Sequence, residues 1–258
     1  MSAPPSRFEN RQYRFFAEAA EADARHFLWQ TQSPYFADTE RALLQGFPVV
    51  GGQAILELGC GEGGNLANLL RGTSAWPRLL IGVDLFARKL SFARAQGIPA
   101  RFVCGDALTL PFRDGVFDAI LCRDVLHHLE RPELAIEGLK RICKPDGSVW
   151  ILEPNGWNPL IRGFALLRPH ERGQLRNSLE WVTTLVARHF PRVEVEMRQP
   201  FPLYRLFLHY HFGFPRLGSS GWCRSLLGFL NRVAGTIWPR RLWAYILVRA
   251  GRAPLVAP

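Results

Sequence analysis

The C-terminal part of this sequence is poor in acidic residues. Residues 197–258 contain no Asp or Glu, whereas nine Arg lie in the same stretch. The five Cys form no C-x-x-C pair, and residues 1–5 show no signal-peptide pattern. We therefore expect a cytoplasmic protein whose Cys are small core residues. Residues 202–241 contain no uncharged run near the ~20 residues that a bilayer span needs, which excludes a transmembrane helix there.

The net charge of +10 comes from the second part of the chain. Residues 1–150 hold 17 basic and 17 acidic side chains, whereas residues 151–258 hold 15 Arg and 5 acids. The chain of 258 residues has the length of one domain with a full core. We call residues 202–241 the basic segment, because its Arg are interleaved with Tyr204, Phe207, Tyr210, Phe212, Phe214, Trp222, Phe229 and Trp238.

Residues 55–65 combine an apolar run with closely spaced glycines. The run from Ile55 to Leu58 is typical of a buried strand, and the glycines that follow are typical of a turn that opens a helix. Glycine permits positive φ and lets the backbone approach a ligand closely. The first N–H groups of a helix point at whatever binds there. The stretch therefore predicts a nucleotide-type cofactor loop.

Two cofactors fit this loop. Gly59, Gly61 and Gly64 match G-x-G-x-x-G, and Asp84 follows Gly64 by 20 residues, as in the dinucleotide fingerprint. Glu57 favours the other cofactor, because a carboxylate at the strand end repels a pyrophosphate. The same carboxylate suits the ammonium and sulfonium groups of S-adenosylmethionine (SAM). Asp84 fits either cofactor, because both carry a ribose diol.

Motifs further along the chain decide between the two. They are E-L-G-C-G at 57–61, G-V-D at 82–84, G-D-A at 105–107, L-P-F-x-D-x-x-F-D at 110–118 and V-L-H-H-L at 125–129. In this order and spacing, the motifs make the chain resemble the class I SAM-dependent methyltransferases. Within them it is similar to the type 11 branch, which includes the quinone-biosynthesis methyltransferases. The resemblance is close over 55–154 and loose over 10–54 and 175–200.

This resemblance implies an α/β fold in one domain, 1–258. We expect a doubly wound, Rossmann-like sheet of seven strands, mostly parallel with an antiparallel last strand. An N-terminal helical lid at 8–47 precedes a SAM-binding core at 48–154 and a C-terminal half at 155–258. In that half, the basic segment forms a helical insertion before the last strand. Local patterns predict strands at 148–152, 193–197 and 243–248 and a helix over 178–189 with Ser178 as its N-cap.

Ten residues near the strand ends are predicted to bind the cofactor: Glu57, Gly59, Cys60, Gly61, Asp84, Leu85, Asp106, Ala107, Cys122 and Arg123. The two loop glycines let the backbone approach the methionine moiety. We expect Glu57 to orient the loop or pair with the amino group, Asp84 to accept from the ribose hydroxyls and Asp106 to accept from the adenine amino group. For Cys122 and Arg123 the backbone is the expected contact.

Methyl transfer from a sulfonium needs alignment more than a catalytic side chain. A base is required only when the acceptor must lose a proton, and His127 and His128 are the weak candidates for that role. The sequence predicts no metal site. His209 and His211 flank Tyr210, but side chains at i and i+2 diverge on a helix and a third ligand is not evident.

The basic segment has three interpretations. A helix is predicted by the spacing of Leu226, Leu230, Val233 and Ile237. The segment is interpreted as a peripheral contact with an anionic membrane, as a folded cap, or as a nucleic-acid surface. Nucleic acid is less favoured, because the chain lacks the Asp/Asn-Pro-Pro-aromatic motif of base methyltransferases after the fourth strand. The leading hypothesis is SAM-dependent methylation of a small hydrophobic or lipid-linked acceptor. The alternatives are a non-catalytic SAM-binding scaffold and an RNA methyltransferase.

Overall fold

The computed structural model describes residues 22–71, 73–208 and 214–253. The described residues contain one seven-stranded sheet with the strand order β3-β2-β1-β4-β5-β7-β6. The strands are β1 (Ala54–Leu58), β2 (Leu79–Asp84), β3 (Arg101–Cys104), β4 (Phe117–Arg123), β5 (Cys143–Pro154), β6 (Arg192–Arg198) and β7 (Tyr245–Gly251). The first five strands pair in parallel, and β7 is antiparallel to both β5 and β6. The predicted α/β sheet with an antiparallel last strand is confirmed.

Helices connect the strands on both faces of this sheet. Helices α1 (Ala24–Gln32) and α2 (Pro34–Leu43) precede β1, and α3 (Gly64–Leu70), α4 (Ala87–Ala95) and α5 (Pro132–Ile142) link the parallel strands. Between β5 and β6 lie α6 (Pro159–Leu167) and α7 (Leu179–Ala187), and between β6 and β7 lie α8 (Leu203–Phe207) and α9 (Gly221–Ile237). Short 3₁₀ segments occur at Leu126–His128, Pro169–Arg176, Pro215–Ser219 and Arg240–Leu242.

The core lies on both sides of the sheet. Leu56 and Leu58 of β1 pack with one buried cluster, and Ile55 packs with the other. Every residue of β1 is buried, which is typical of a central strand in a parallel sheet covered by helices on both faces. Apolar side chains of β1 therefore alternate between the two clusters, although the sequence of β1 does not alternate between apolar and polar residues.

The strand registers bring four strand ends to one edge of the sheet. Leu58 of β1 pairs with Val83 of β2 and with Cys122 of β4, and Asp84 pairs with Cys104 of β3. The strand order reverses between β1 and β4, where a crevice forms in folds of this kind. The sheet thus collects at one edge the loops in which the cofactor residues were predicted.

Some predicted boundaries were wrong. The fifth strand begins at Cys143 instead of 148, so residues 144–147, predicted as a turn, lie inside β5. A register shift between β4 and β5 accommodates them. The helix predicted over 178–189 ends at Ala187, and its N-cap is confirmed because Ser178 Oγ accepts from the Trp181 amide.

The N-terminal lid was predicted over 8–47, of which 8–21 lie outside the described residues. The described part forms α1 and α2, which pack against α3. His209 and His211 also lie outside the described residues. Within the described ranges, no helix has the length and apolar character that crossing a membrane requires.

Candidate active site

The glycine loop between β1 and α3 has a left-handed backbone at three positions. The φ angles are +75° at Gly59, +51° at Gly61 and +83° at Gly63, values that side chains other than glycine rarely adopt. A Cβ added to Gly59 would lie 2.3 Å from Cγ2 of Val125. The loop is also anchored, because the Gly59 amide donates to the Val83 carbonyl at 2.8 Å. Glycine is therefore required here by conformation and by close packing.

Glu57 lies directly below this loop and is fully buried. Its Oε1 accepts a hydrogen bond of 2.6 Å from Asn65 Nδ2. Its Oε2 has no hydrogen-bond partner among the described residues. Burial raises the pKa of this carboxyl to about 7, against a smaller opposing effect from Asn65. A buried carboxylate oxygen without a partner is costly, and a bound cation would satisfy it.

Asp84 holds the loop at the end of β2. Its Oδ2 accepts from the Gly61 amide at 2.9 Å, and its Oδ1 accepts from the Phe86 amide at 3.0 Å. Burial raises the pKa of this carboxyl, although the two backbone N–H groups oppose the shift. Each oxygen keeps a second lone pair. Asp84 thus positions the glycine loop, a role that its spacing did not reveal, and retains acceptors for hydroxyl groups.

The other predicted cofactor residues differ in what their side chains do. Asp106 follows β3, is half-buried, and accepts from the Leu108 amide at 2.9 Å. Leu85 and Ala107 are also half-buried. Cys60 and Cys122 are buried, and burial raises the pKa of both thiols. These two thiols are therefore packing groups, and a backbone contact with the cofactor stays a prediction for Cys122.

Arg123 makes a buried contact that sequence reasoning missed. Arg123 is 3% exposed, and its guanidinium pairs with Glu40 of α2, which is fully buried. Nη1 also donates to Asn65 Oδ1 at 2.8 Å, and Arg205 reaches Glu40 Oε1 at 3.3 Å. The neighbouring Asp124 has a positive φ of 54°. The side chain of Arg123 therefore joins the lid to the end of β4.

Asn65 connects this ion pair to the glycine loop. Its amide nitrogen donates to Glu57, and its amide oxygen accepts from Arg123. A continuous path of side-chain contacts therefore runs from Glu57 through Asn65 and Arg123 to Glu40. The only signal in the sequence was an acidic residue, Glu40, inside the helical pattern of the lid.

A second contact ties the lid to the loop. Glu62 lies 3.6 Å from His26 Nδ1 and 3.4 Å from Lys89 Nζ. Burial opposes its ionisation, but the hydrogen bond with His26 and the charge of Lys89 lower the pKa of this carboxyl to about 2. A Cβ on Gly64 would lie 2.2 Å from Oε1 of Gln30. Helix α1 therefore packs directly on the start of α3.

The two candidate bases lie in a 3₁₀ turn after β4. His127 Nδ1 is 2.7 Å from Glu153 Oε2, and its Nε2 is 3.5 Å from Glu171 Oε2. Burial alone would lower the pKa of His127, but the two carboxylates raise it to about 10. Burial and the charge of His127 lower the pKa of His128 to about 3. Neither pKa lies near neutrality, where a general base works best, so the general-base role stays a prediction for both residues.

Known proteins are similar to this chain in sequence and in fold. The type 11 family model described as a methyltransferase domain matches residues 56–151. A probable tRNA methyltransferase 9B of Mus musculus is 33% identical over 152 residues, or 53% of this chain and 32% of that protein. A fatty-acid O-methyltransferase of Mycolicibacterium smegmatis is 36% identical over 100 residues, or 38% of this chain and 36% of that protein.

Two further comparisons extend the similarity. A demethylmenaquinone methyltransferase of Paenarthrobacter aurescens is 32% identical over 118 residues, or 44% of this chain and 43% of that protein. Phosphoethanolamine N-methyltransferase 2 of Haemonchus contortus, solved with SAM, superposes with a TM-score of 0.63 at 19% identity. That match covers 98% of this chain and 61% of the solved one.

The chain spans less than half of the length of the curated relatives that it matches. The similarity therefore concerns the shared domain and its fold, and not the acceptors of those proteins. Residues 56–151 form a methyltransferase domain of the class I, type 11 family, as the motifs predicted.

Proposed function

We propose that this chain transfers the methyl group of SAM to a small hydrophobic or lipid-linked acceptor at a membrane surface. The observation that carries the first part is the Oε2 of Glu57, which is buried below the glycine loop and has no partner in the described part of the chain. A pyrophosphate at this loop would face a carboxylate of like charge. An ammonium group would instead supply the missing hydrogen bonds and charge. The residues present therefore fit SAM better than a dinucleotide.

The chain's contribution to the reaction is mainly binding and alignment. SAM supplies an activated methyl group on a sulfonium. Glu57 holds the amino end of the cofactor, Asp84 accepts from its ribose hydroxyls, and Asp106 accepts from its adenine amino group. Helices α1 and α2 pack against α3 beside the loop. Alignment of this kind accounts for about 7–11 kcal/mol of a barrier.

An exposed apolar face on α9 supports the membrane part of the proposal. Six large apolar side chains lie within about 100° of the helix circumference and are exposed to solvent: Trp222, Leu226, Phe229, Leu230, Val233 and Ile237. On an adjoining side, Cys223 and Leu227 pack with Trp29 and Phe36 of the lid. The predicted stripe is therefore helical, and it faces outward instead of covering the sheet.

Exposed Arg residues flank this face. Arg232 lies beside it on α9, and Arg240 and Arg241 follow the helix, whereas Arg224 lies on the opposite side of α9. A helix with an apolar face and basic flanks binds in the interface of an anionic membrane. Each basic residue near such a surface contributes about 1 kcal/mol. Lipid-linked acceptors reside in that interface, which is why we join the two parts of the proposal.

The names of the relatives include two acceptor classes, apolar molecules and RNA. Fatty-acid and demethylmenaquinone methyltransferases act on apolar acceptors by name, and this favours the leading hypothesis. A probable tRNA methyltransferase is equally similar in sequence, so RNA methylation is the second candidate. The third candidate, a non-catalytic SAM-binding scaffold, differs from both because it would bind SAM without producing S-adenosylhomocysteine.

Calorimetry with SAM and with NADH tests the cofactor. We expect one equivalent of SAM to bind and NADH not to bind, because Glu57 repels the pyrophosphate. Turnover with fatty acids and quinols as acceptors, read as S-adenosylhomocysteine formed, separates an enzyme from a scaffold. Binding of NADH without SAM would overturn the proposal.

Flotation with anionic vesicles tests the role of α9. Changing Leu226, Phe229 and Ile237 to Ser should reduce vesicle binding at least about tenfold, because three partly inserted apolar side chains contribute more than about 1.4 kcal/mol. The matched control changes Leu166 and Leu167, two exposed apolar residues of α6, to Ser and should bind as the parent does. Equal flotation of both variants would contradict the membrane part of the proposal. Salt-dependent binding to tRNA without flotation would favour RNA as the acceptor.

A further inference from the structure

Two separate segments of the chain meet at a cluster of His and Glu side chains beyond β4. The Leu126–His128 turn supplies His127 and His128, and the Pro169–Arg176 segment supplies Glu171. One ligand atom from each of the three residues lies within 4.8 Å of the others. The cofactor loop uses none of these side chains.

Backbone packing holds the second segment on the first. A Cβ on Gly173 would lie 1.7 Å from the His127 carbonyl oxygen, so only glycine permits this approach. Arg176 Nη2 donates to the carbonyls of Leu126 and Leu129 at 2.8 and 2.7 Å. The position of Glu171 opposite the His pair is therefore built into the fold and does not depend on a mobile surface side chain.

Glu153 orients His127 from the opposite side. Its Oε2 lies 2.7 Å from His127 Nδ1, and its Oε1 accepts from the amides of Val125 and Leu126 at 2.9 and 2.8 Å. Asn177 Nδ2 also donates to Oε2, at 3.0 Å. A carboxylate bonded to Nδ1 directs Nε2 outward for coordination, as around many protein-bound metals. Here Nε2 points toward Glu171, at 3.5 Å.

The geometry points to a divalent transition-metal site, of the zinc type, formed by His127, His128 and Glu171 and supported by Glu153. In a tetrahedral site with bonds of 2.0–2.1 Å, neighbouring ligand atoms are about 3.3 Å apart. The 3.5 Å between His127 Nε2 and Glu171 Oε2 is close to that value. Two imidazoles and one carboxylate favour zinc, cobalt or iron over magnesium or calcium.

Charge in the cluster agrees with a divalent ion. Glu153 is fully buried and Glu171 is mostly buried. A divalent cation that displaces the proton from His127 Nε2 leaves two neutral imidazoles and balances the two carboxylates. With three protein ligands, one position stays open for water or for an oxygen of the acceptor. Binding of the acceptor at this open position rests on the proposed function. The site lies near the cofactor loop, because Val125, two residues before His127, contacts Gly59.

Titration of the metal-free full chain with Zn²⁺, in the absence of SAM, tests the site directly. We expect one equivalent to bind, and Co²⁺ in its place should give the absorption of a tetrahedral ion with N and O ligands. The variants His128→Ala and Glu171→Gln should each lower the affinity by at least about a hundredfold. Glu153→Gln should lower it by about 10- to 100-fold, as for other residues that orient a ligand.

Controls exclude other sources of binding. His189 lies 4.0 Å from Glu137 in a separate His–Glu pair, so His189→Ala should bind Zn²⁺ as the parent does. A double change of His209 and His211 to Ala and a change of the exposed Cys104 to Ser should also leave binding intact. Circular dichroism verifies folding of each variant. The inference would be overturned if the parent chain failed to bind Zn²⁺ or if these controls lost binding. Unchanged affinity in His128→Ala and Glu171→Gln would overturn it as well. Because SAM is absent, none of these results depends on the proposed function.

Discussion

Replacing Glu40 by Ala is expected to lower the free energy of unfolding by about 3–5 kcal/mol, the range measured when one partner of a buried ion pair is removed. Glu40 is fully buried on α2 and pairs with Arg123 and with Arg205. Its removal leaves the Arg123 guanidinium in the core with Asn65 and Asp124 as its hydrogen-bond partners among the described residues. Urea denaturation followed by circular dichroism measures the change.

Two further variants show whether the effect comes from the buried charge. Asp38→Ala removes an exposed acid from the same helix, where it pairs with Arg41, and should change stability by less than about 1 kcal/mol. Glu40→Leu combined with Arg123→Met replaces the pair by apolar groups and should recover most of the loss. A loss below about 1 kcal/mol in Glu40→Ala would show that the pair does not hold the lid.

Replacing Glu57 by Gln is expected to weaken SAM binding by about 10- to 100-fold, because a hydrogen bond to a charged group contributes about 1.5–3 kcal/mol. The amide oxygen of Gln can still accept from Asn65, so the charge facing the cofactor is the main change. Stability should not fall, since the buried carboxyl, with a pKa raised to about 7 by burial, is costly to ionise in the folded chain. Calorimetry and urea denaturation measure the two effects separately.

Adenosine provides the matched ligand for this variant, because it lacks the methionine moiety. Its affinity should be nearly the same in the parent chain and in Glu57→Gln. Asp114→Asn, which changes an exposed acid, should leave the affinity for SAM unchanged. Equal losses of SAM and adenosine affinity in Glu57→Gln would contradict the assignment of Glu57 to the amino group.

Local patterns were sufficient for the parts of the site that depend on neighbouring residues. The run before Gly59 predicted β1, and the positive φ values of the loop explain its glycines. The spacing of Asp84 placed it at the end of β2, where it bonds to the Gly61 amide. These features depend on strand period and turn chemistry, both of which can be recognised within some 30 residues of sequence.

Long-range contacts were beyond sequence reasoning. Glu40 and Arg123 are far apart in the chain, and their pairing depends on how α2 packs over the sheet edge. The Glu171 contact with His127 requires the Pro169–Arg176 segment, for which no local pattern predicted a structure. The start of β5 was missed because its first residues, which include Pro145 and Gly147, have the composition of a turn.

The outward direction of the α9 stripe was also unpredictable. The spacing of Leu226, Leu230, Val233 and Ile237 predicted a helix correctly. Which side packs inward was decided by Cys223 and Leu227, which meet Trp29 and Phe36 of the lid. A hydrophobic period identifies an amphipathic helix but not the phase that a distant partner selects.

Asn65 has a consequence for ligand exchange. Its side-chain amide bonds to two oppositely charged groups, because the nitrogen donates to Glu57 and the oxygen accepts from Arg123. The amide therefore cannot rotate without losing both hydrogen bonds. Thermodynamic linkage is reciprocal. If Glu57 binds the cofactor as proposed, a movement of α2 that releases Arg123 should weaken cofactor affinity by the same factor by which the cofactor restrains α2, and we expect product departure to be coupled to that movement.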